Sequence, residues 1–141
     1  MRLAVAAVAL ILAGCARQDV THPTASSESP LPVVAQSYAT VVQLRDAAVE
    51  WGMTCDKWDG SGASDLAAAQ SGVCSATVGD TSVLFATYAT PADLQTDLTY
   101  LRGLIFPGED VALLTGANWL ISTDGAWAAR LAVKLGGTVS P

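Results

Sequence analysis

Histidine is nearly missing from this chain: of 141 residues only His22 is one, and it sits among Ser, Thr and Pro. That absence removes Ser-His and Cys-His nucleophile pairs from any domain folding downstream of it. It also leaves a zinc site without nitrogen ligands. Charge is scarce too, at 14% of the residues, and the seven Lys and Arg are outnumbered by thirteen Asp and Glu. With no basic patch to neutralise phosphates, nucleic acid is not an expected partner. The chain has no Gly-x-Ser-x-Gly elbow, no phosphate-cradling loop ending in Gly-Lys-Ser/Thr and no Cys-x-x-Cys. The corresponding hydrolase, nucleotide and redox chemistries therefore lack their sequence carriers. Its apolar N-terminal run, Leu3–Leu12, is too short to cross a bilayer.

That run is nevertheless informative. Met1-Arg2 supplies a positive n-region, Leu3–Leu12 an h-region, and small residues lead to Cys15. This is the anatomy of a secretory signal. Leu12-Ala13-Gly14-Cys15 further resembles the lipobox of bacterial lipoproteins, in which the cysteine is diacylated and the chain is cut just before it. The expected organisation is a signal peptide over 1–14, a lipidated Cys15 opening a disordered tether over 15–36, and one domain over 37–141. Losing Arg2 with the signal leaves six basic residues against thirteen acidic ones, a mature charge of −7. Membrane attachment is thus expected through the lipid, since two acyl chains meet the condition for stable anchoring. The Ser/Thr/Pro-rich tether buries too little surface to fold. Its r.m.s. reach of about 25 Å would keep the domain near the outer membrane face.

With Cys15 assigned to lipid, Cys55 and Cys74 remain as an even pair in an oxidising compartment. A disulfide is the favoured reading, with free thiols or a metal site as alternatives. No metal and no cofactor is expected. Asp56, Asp59 and Asp65 invite a calcium loop, but taking Gly60 as its glycine puts Cys55 first and Lys57 third, which is incompatible with oxygen ligands at those positions.

Hydrophobic spacing sketches the domain. Val41, Leu44, Ala48 and Trp51 share a helical face within Ser37–Gly52, with Ser37 as the expected cap and Gly52 as the stop. Met53–Trp58 reads as a short strand, 59–64 as a loop, and 64–70 as one helical turn or irregular chain. Gly72–Val78 and Ser82–Tyr88 read as strands of a hairpin turning at Gly79-Asp80. Thr90-Pro91 opens a helix to about Gly103. Val111–Leu114 and Asn118–Ser122 are either a hairpin or one bulged strand, the hairpin being preferred. Gly125–Leu135 closes the domain as a helix capped by Thr123 or Asp124 and stopped by Gly136-Gly137. The fold class is α+β: a small antiparallel sheet, about three helices mainly on one face, and one disulfide.

This layout resembles small lipobox-containing lipoproteins of actinobacteria and their phages. The resemblance is carried by the lipobox, the tether, the helix running into Cys55, and Cys74 before a strand. Tyr88-Ala89-Thr90-Pro91, Thr115-Gly116-Ala117-Asn118-Trp119 and Leu135-Gly136-Gly137 complete it. Such proteins are mostly of unknown function, so the resemblance implies an envelope location on the extracytoplasmic face and supplies no catalytic residues.

Candidate contact residues are aromatic. Trp58 and Asp59, beside a Gly/Ser loop, are the best candidates for an exposed binding site. Asn118-Trp119 has the chemistry of a glycan or partner contact, although a core Trp beside a turn-forming Asn is the commoner use of such a pair. Trp51 and Trp127 lie on apolar helical faces and are expected in the core. The chain is accordingly read as a non-enzymatic, lipid-anchored envelope protein binding a protein or glycan. A prophage-encoded lipoprotein excluding superinfecting phage is one alternative. A small hydrolase using carboxylates, whose partners meet only in space, is another.

Overall fold

The computed structural model describes residues 34–63, 65–77 and 81–140. The signal, Cys15 and nearly all of the tether lie outside them, as does the Gly79-Asp80 turn. Helix α1 spans Val41–Glu50, with Thr40 rather than Ser37 as its cap: Thr40 Oγ1 accepts the Gln43 N–H at 3.2 Å, and Gln43 reaches back to the Ala39 N–H. The preceding chain is held elsewhere, Gln36 by the Trp119 indole and Tyr38 by the Asn118 side chain, and Thr40 itself is extended. Gly52 follows the helix at φ +95°, the left-handed geometry that ends it.

Strand β1, Lys57–Asp59, is shorter than the expected Met53–Trp58. Met53 turns into the core instead, and contact with the sheet begins where the Asp56 N–H donates to the Ser75 carbonyl. Strands β2, Gln70–Ala76, and β3, Thr81–Thr87, pair antiparallel, with Cys74 opposite Val83 and Gly72 opposite Phe85. The chain between β1 and β2 is irregular, with a turn bond from the Leu66 N–H to the Ala63 carbonyl before the Ala69 N–H donates to Thr87. Helix α2, Pro91–Leu104, starts with Thr90 accepting the Asp93 N–H, and proline takes a position whose N–H needs no partner.

Strands β4, Ala112–Thr115, and β5, Trp119–Thr123, form a hairpin, Leu114 opposite Ile121. Helix α3, Gly125–Leu135, is capped by Asp124, whose carboxylate accepts the Trp127 N–H at 2.8 Å. Gly136 and Gly137, at φ +76° and +102°, then turn the chain back into β6, Thr138–Ser140, which pairs with β4. This last strand follows the glycines read as a terminus and is too short to carry a period.

The six strands run β1-β2-β3-β5-β4-β6, every neighbour antiparallel. Helices α1 and α3 cover one face over Val83, Phe85, Leu114, Trp119 and Ile121. Helix α2 covers the other, with Leu94 and Leu98 against Ala86, Leu113 and Leu120. Burial on both faces explains why β3 and β5 read as nearly continuous apolar runs. The fold is α+β with two of its three helices on one face and a Cys55–Cys74 disulfide, the Cα atoms 5.3 Å apart.

Candidate functional site

The disulfide closes a loop that starts at the edge strand β1 and returns along β2. Trp58 lies opposite Cys74 in the pairing and, two residues further along β2, meets Gly72. The six-membered ring of the indole rests on the Gly72 backbone so closely that any Cβ there would overlap it. A glycine inside a strand thus serves as the seat of a neighbouring aromatic. On the core side Trp58 meets Phe85 edge-to-face at 6.0 Å, and the Arg45 guanidinium lies 4.9 Å from its ring centroid. Trp58 is half-buried, its ring packed among Gly72, Phe85 and Arg45. Its N–H edge lies beside Gly60.

That edge opens into a groove of about 510 Å³ between the first turn of α1 and the 60–71 loop, within the size range of ligand pockets. Val41, Val42, Leu66 and Ala68 supply its apolar wall, and Ser61, Gln70 and Ser71 its polar one. The loop is held in shape by its own bonds. Asp59 accepts from both the Ser61 N–H and its hydroxyl, and those two bonds hold the Asp59 carboxyl below its usual range. Ser71 Oγ accepts the Ala63 N–H at 3.0 Å, and Gly62, at φ +78°, lies against Ser71 where no side chain would fit. Asp97 on α2 is buried and accepts the Ala67 N–H at 2.9 Å, tying the loop to the opposite layer. Gln70 Oε1 accepts the Val41 N–H, joining the two walls.

After these bonds, the Trp58 indole N–H, the Ser71 hydroxyl and the Gln70 amide NH₂ donate to no described residue. Among the described residues, no charged side chain lines the groove. The arrangement can recognise a neutral partner rich in acceptors, and it presents no acid–base pair. No group of three His, Cys, Asp or Glu able to hold a metal occurs among the described residues. Asp56 is engaged with the Thr77 N–H at 2.7 Å, a bond that lowers its pKa.

The other sequence candidates are placed elsewhere. Trp119 is fully buried, its Nε1–H donating to the Gln36 carbonyl at 2.6 Å and its ring edge-on to Tyr38 at 6.1 Å. Asn118 grips Tyr38 twice, accepting its N–H at 3.0 Å and donating to its carbonyl at 2.8 Å. An indole with no exposed face and an amide already bonded at both ends cannot form the surface contact considered for this pair. They fasten the incoming chain instead, including Gln36, the last residue assigned to the tether. Trp51 is also corrected: it lies past the end of α1, 48% exposed, with Lys134 Nζ 4.6 Å from its ring centroid. Trp127 is half-buried against the core, with Arg130 over its ring at 5.2 Å.

Arg45, Gln70, Ser71, Gly72 and Asp97 were not singled out by sequence. Only Gly72 carried a signal, as a glycine interrupting a strand. No family model, curated protein or solved structure matches the chain. Among the described residues no helix is long and apolar enough to cross a membrane.

Proposed function

We propose that this chain is a lipid-anchored envelope protein, attached through Cys15 to the extracytoplasmic face of its membrane. Its domain captures a neutral, hydroxyl-rich partner, a glycan, in the Trp58 groove, without catalysing a reaction. The observation that carries the reading is an uncharged groove of ligand size with three unused donors, one on an indole immobilised on Gly72. A pre-ordered aromatic loses little entropy on contact. The indole edge gives an apolar surface beside a donor, a combination suited to a sugar ring and its hydroxyls. The lack of a lining carboxylate weighs against a glycoside hydrolase. Anchoring rests on the Leu12–Cys15 lipobox.

Two measurements test the reading. Cells fed labelled palmitate should label the wild-type chain and not Cys15→Ala; label on the variant refutes lipidation at this residue. Calorimetric titration of the intact chain in micelles with neutral saccharide fragments of the envelope should show saturable binding. Trp58→Phe keeps the ring on Gly72 and Phe85 but removes the N–H, and should weaken that binding several-fold, the value of one hydrogen bond. Equal affinity for the variant, or saturable binding of a protein with no saccharide response, refutes the groove as a glycan site.

A further inference from the structure

The charge of the chain is unevenly distributed. Its last acidic residue is Asp124, so Gly125–Pro141 carries Arg130 and Lys134 and no Asp or Glu. At 100° per residue, Ala126, Trp127, Arg130, Val133 and Lys134 fall within one third of the α3 circumference. Leu131 and Leu135 point the opposite way, into the core. All of that outer stripe is exposed except the half-buried Trp127. Trp51 joins it from the end of α1, and with Arg130, Val133 and Lys134 it borders a shallow, mainly apolar depression of about 300 Å³. Val133 is 66% exposed. Neither Arg130 nor Lys134 has an ion-pair partner among the described residues; both lie over indole rings instead. In sequence, the acids nearest to these residues are Asp124, the cap of α3, and Glu50, beside Trp51.

Half-exposed indoles, an apolar valine and cations without acids form the composition of a membrane–water interface. We infer that this α3 face lies on an anionic phospholipid surface, the indoles and Val133 at headgroup depth and Arg130 and Lys134 on the phosphates. Position supports the same occupant. The chain coming from Cys15 enters the domain at Gln36, whose carbonyl holds the Trp119 indole. The Gly137 backbone, at the end of α3, packs against the same ring. The anchored segment therefore arrives beside the helical turn that carries Lys134. The inference rests on the anchoring reading, because two cations cannot hold an acidic protein on a membrane alone. Once an anchor keeps the domain within reach of the surface, they need only select which side faces it. The Trp58 groove lies at the first turn of α1, whereas Trp51 stands at the other end of that helix.

The full chain is reconstituted on phosphatidylcholine vesicles, with and without added phosphatidylglycerol. Flotation reports anchoring, and amide exchange across Gly125–Leu135 together with quenching of Trp51 by brominated lipid reports the face. Trp51 is isolated by difference from Trp51→Phe. The expected result is flotation with both compositions, and slower α3 exchange and stronger Trp51 quenching with phosphatidylglycerol, by several-fold. Arg130→Glu/Lys134→Glu should float equally but lose that difference. Both residues are exposed, so the pair should fold, which an unchanged melt verifies. A chain that floats with neither composition overturns the anchoring reading, and this face with it. Flotation with both and an α3 response to neither overturns the face alone. An α3 response to soluble polyphosphate but not to the vesicles makes the occupant a free polyanion and likewise overturns it.

Discussion

Reducing the Cys55–Cys74 disulfide should be the most damaging perturbation that leaves every atom of the core in place. Cys74 is 1% exposed and packs in the main core, so substitution would add a cavity to the loss of the cross-link, whereas reduction isolates the cross-link. The two cysteines are 19 residues apart, and loop-closure entropy then gives about 3 kcal/mol. Little else would compensate. Strand β1 pairs over only Lys57, Trp58 and Asp59, and it is an edge strand. With a urea dependence of about 1–3 kcal/mol/M, the midpoint should fall by roughly 1–3 M on reduction. The melting temperature should fall by roughly 10–25 °C. Amide exchange should accelerate first in 57–71, because the groove loop lies wholly inside the closed ring, while β3 and β5 keep their protection. Urea melts with and without reductant, followed by exchange on the reduced protein, make the comparison. Coincident midpoints, or reactive thiols at Cys55 and Cys74 in the unreduced denatured protein, would refute the reasoning.

Two glycines predict opposite outcomes for one substitution. Gly103→Ala, in α2 with open space around it, should stabilise by up to about 1 kcal/mol, because alanine restricts the unfolded chain and favours helix. Gly116→Ala places a Cβ inside the Trp119 ring and should destabilise by roughly 2–4 kcal/mol through forced repacking; paired denaturant melts check both. Alkaline pH should expose a third effect. Burial, then the neighbouring Asp97 carboxylate, pushes the Tyr88 phenol well above its ordinary value, so the folded chain holds that proton more tightly than the unfolded one. Stability from this source is complete below about pH 10 and is lost as pH rises beyond it. Phenolate absorbance should therefore show Tyr88 ionising only with unfolding, and Tyr88→Phe should flatten the alkaline loss.

What the sequence made legible divides along a physical line. Elements with a period and a chemical stop were readable: α2 from Thr90-Pro91, α3 from Asp124 and its glycines, and the β2, β3, β4 and β5 strands from β-branched and apolar runs. Cysteine pairing followed from the even pair left once Cys15 was assigned to lipid and from the expected compartment. Features set by distant partners were not readable. Thr40 caps α1 because Asn118 and Trp119, some eighty residues away, hold the preceding chain extended. β6 exists only because β4 offers it an edge. The same division runs through the tryptophans. Trp119 sits in a strand buried on both faces, which its neighbours announce. Trp51 follows the helical spacing of α1 but lies beyond its last turn, where the core no longer reaches. Trp58 was recognisable as the aromatic of the loop, but its seat on Gly72 depends on a register between two strands that no local pattern encodes.

The grip of β5 on the incoming chain also determines how the domain carries load. Asn118 holds Tyr38 as one peptide unit holds another, by a matched donor and acceptor, and Trp119 adds a third bond to Gln36. Tension on the preceding segment thus enters the sheet at an interior strand, flanked by β3 and β4, rather than at an edge that could be peeled away. Tension applied there would load those three bonds ahead of the strand pairs. Each residue so freed would add about 3.5 Å of chain; in a surface-anchored protein the clasp would act as a mechanical fuse, yielding length first and sparing the disulfide-closed ring and its groove.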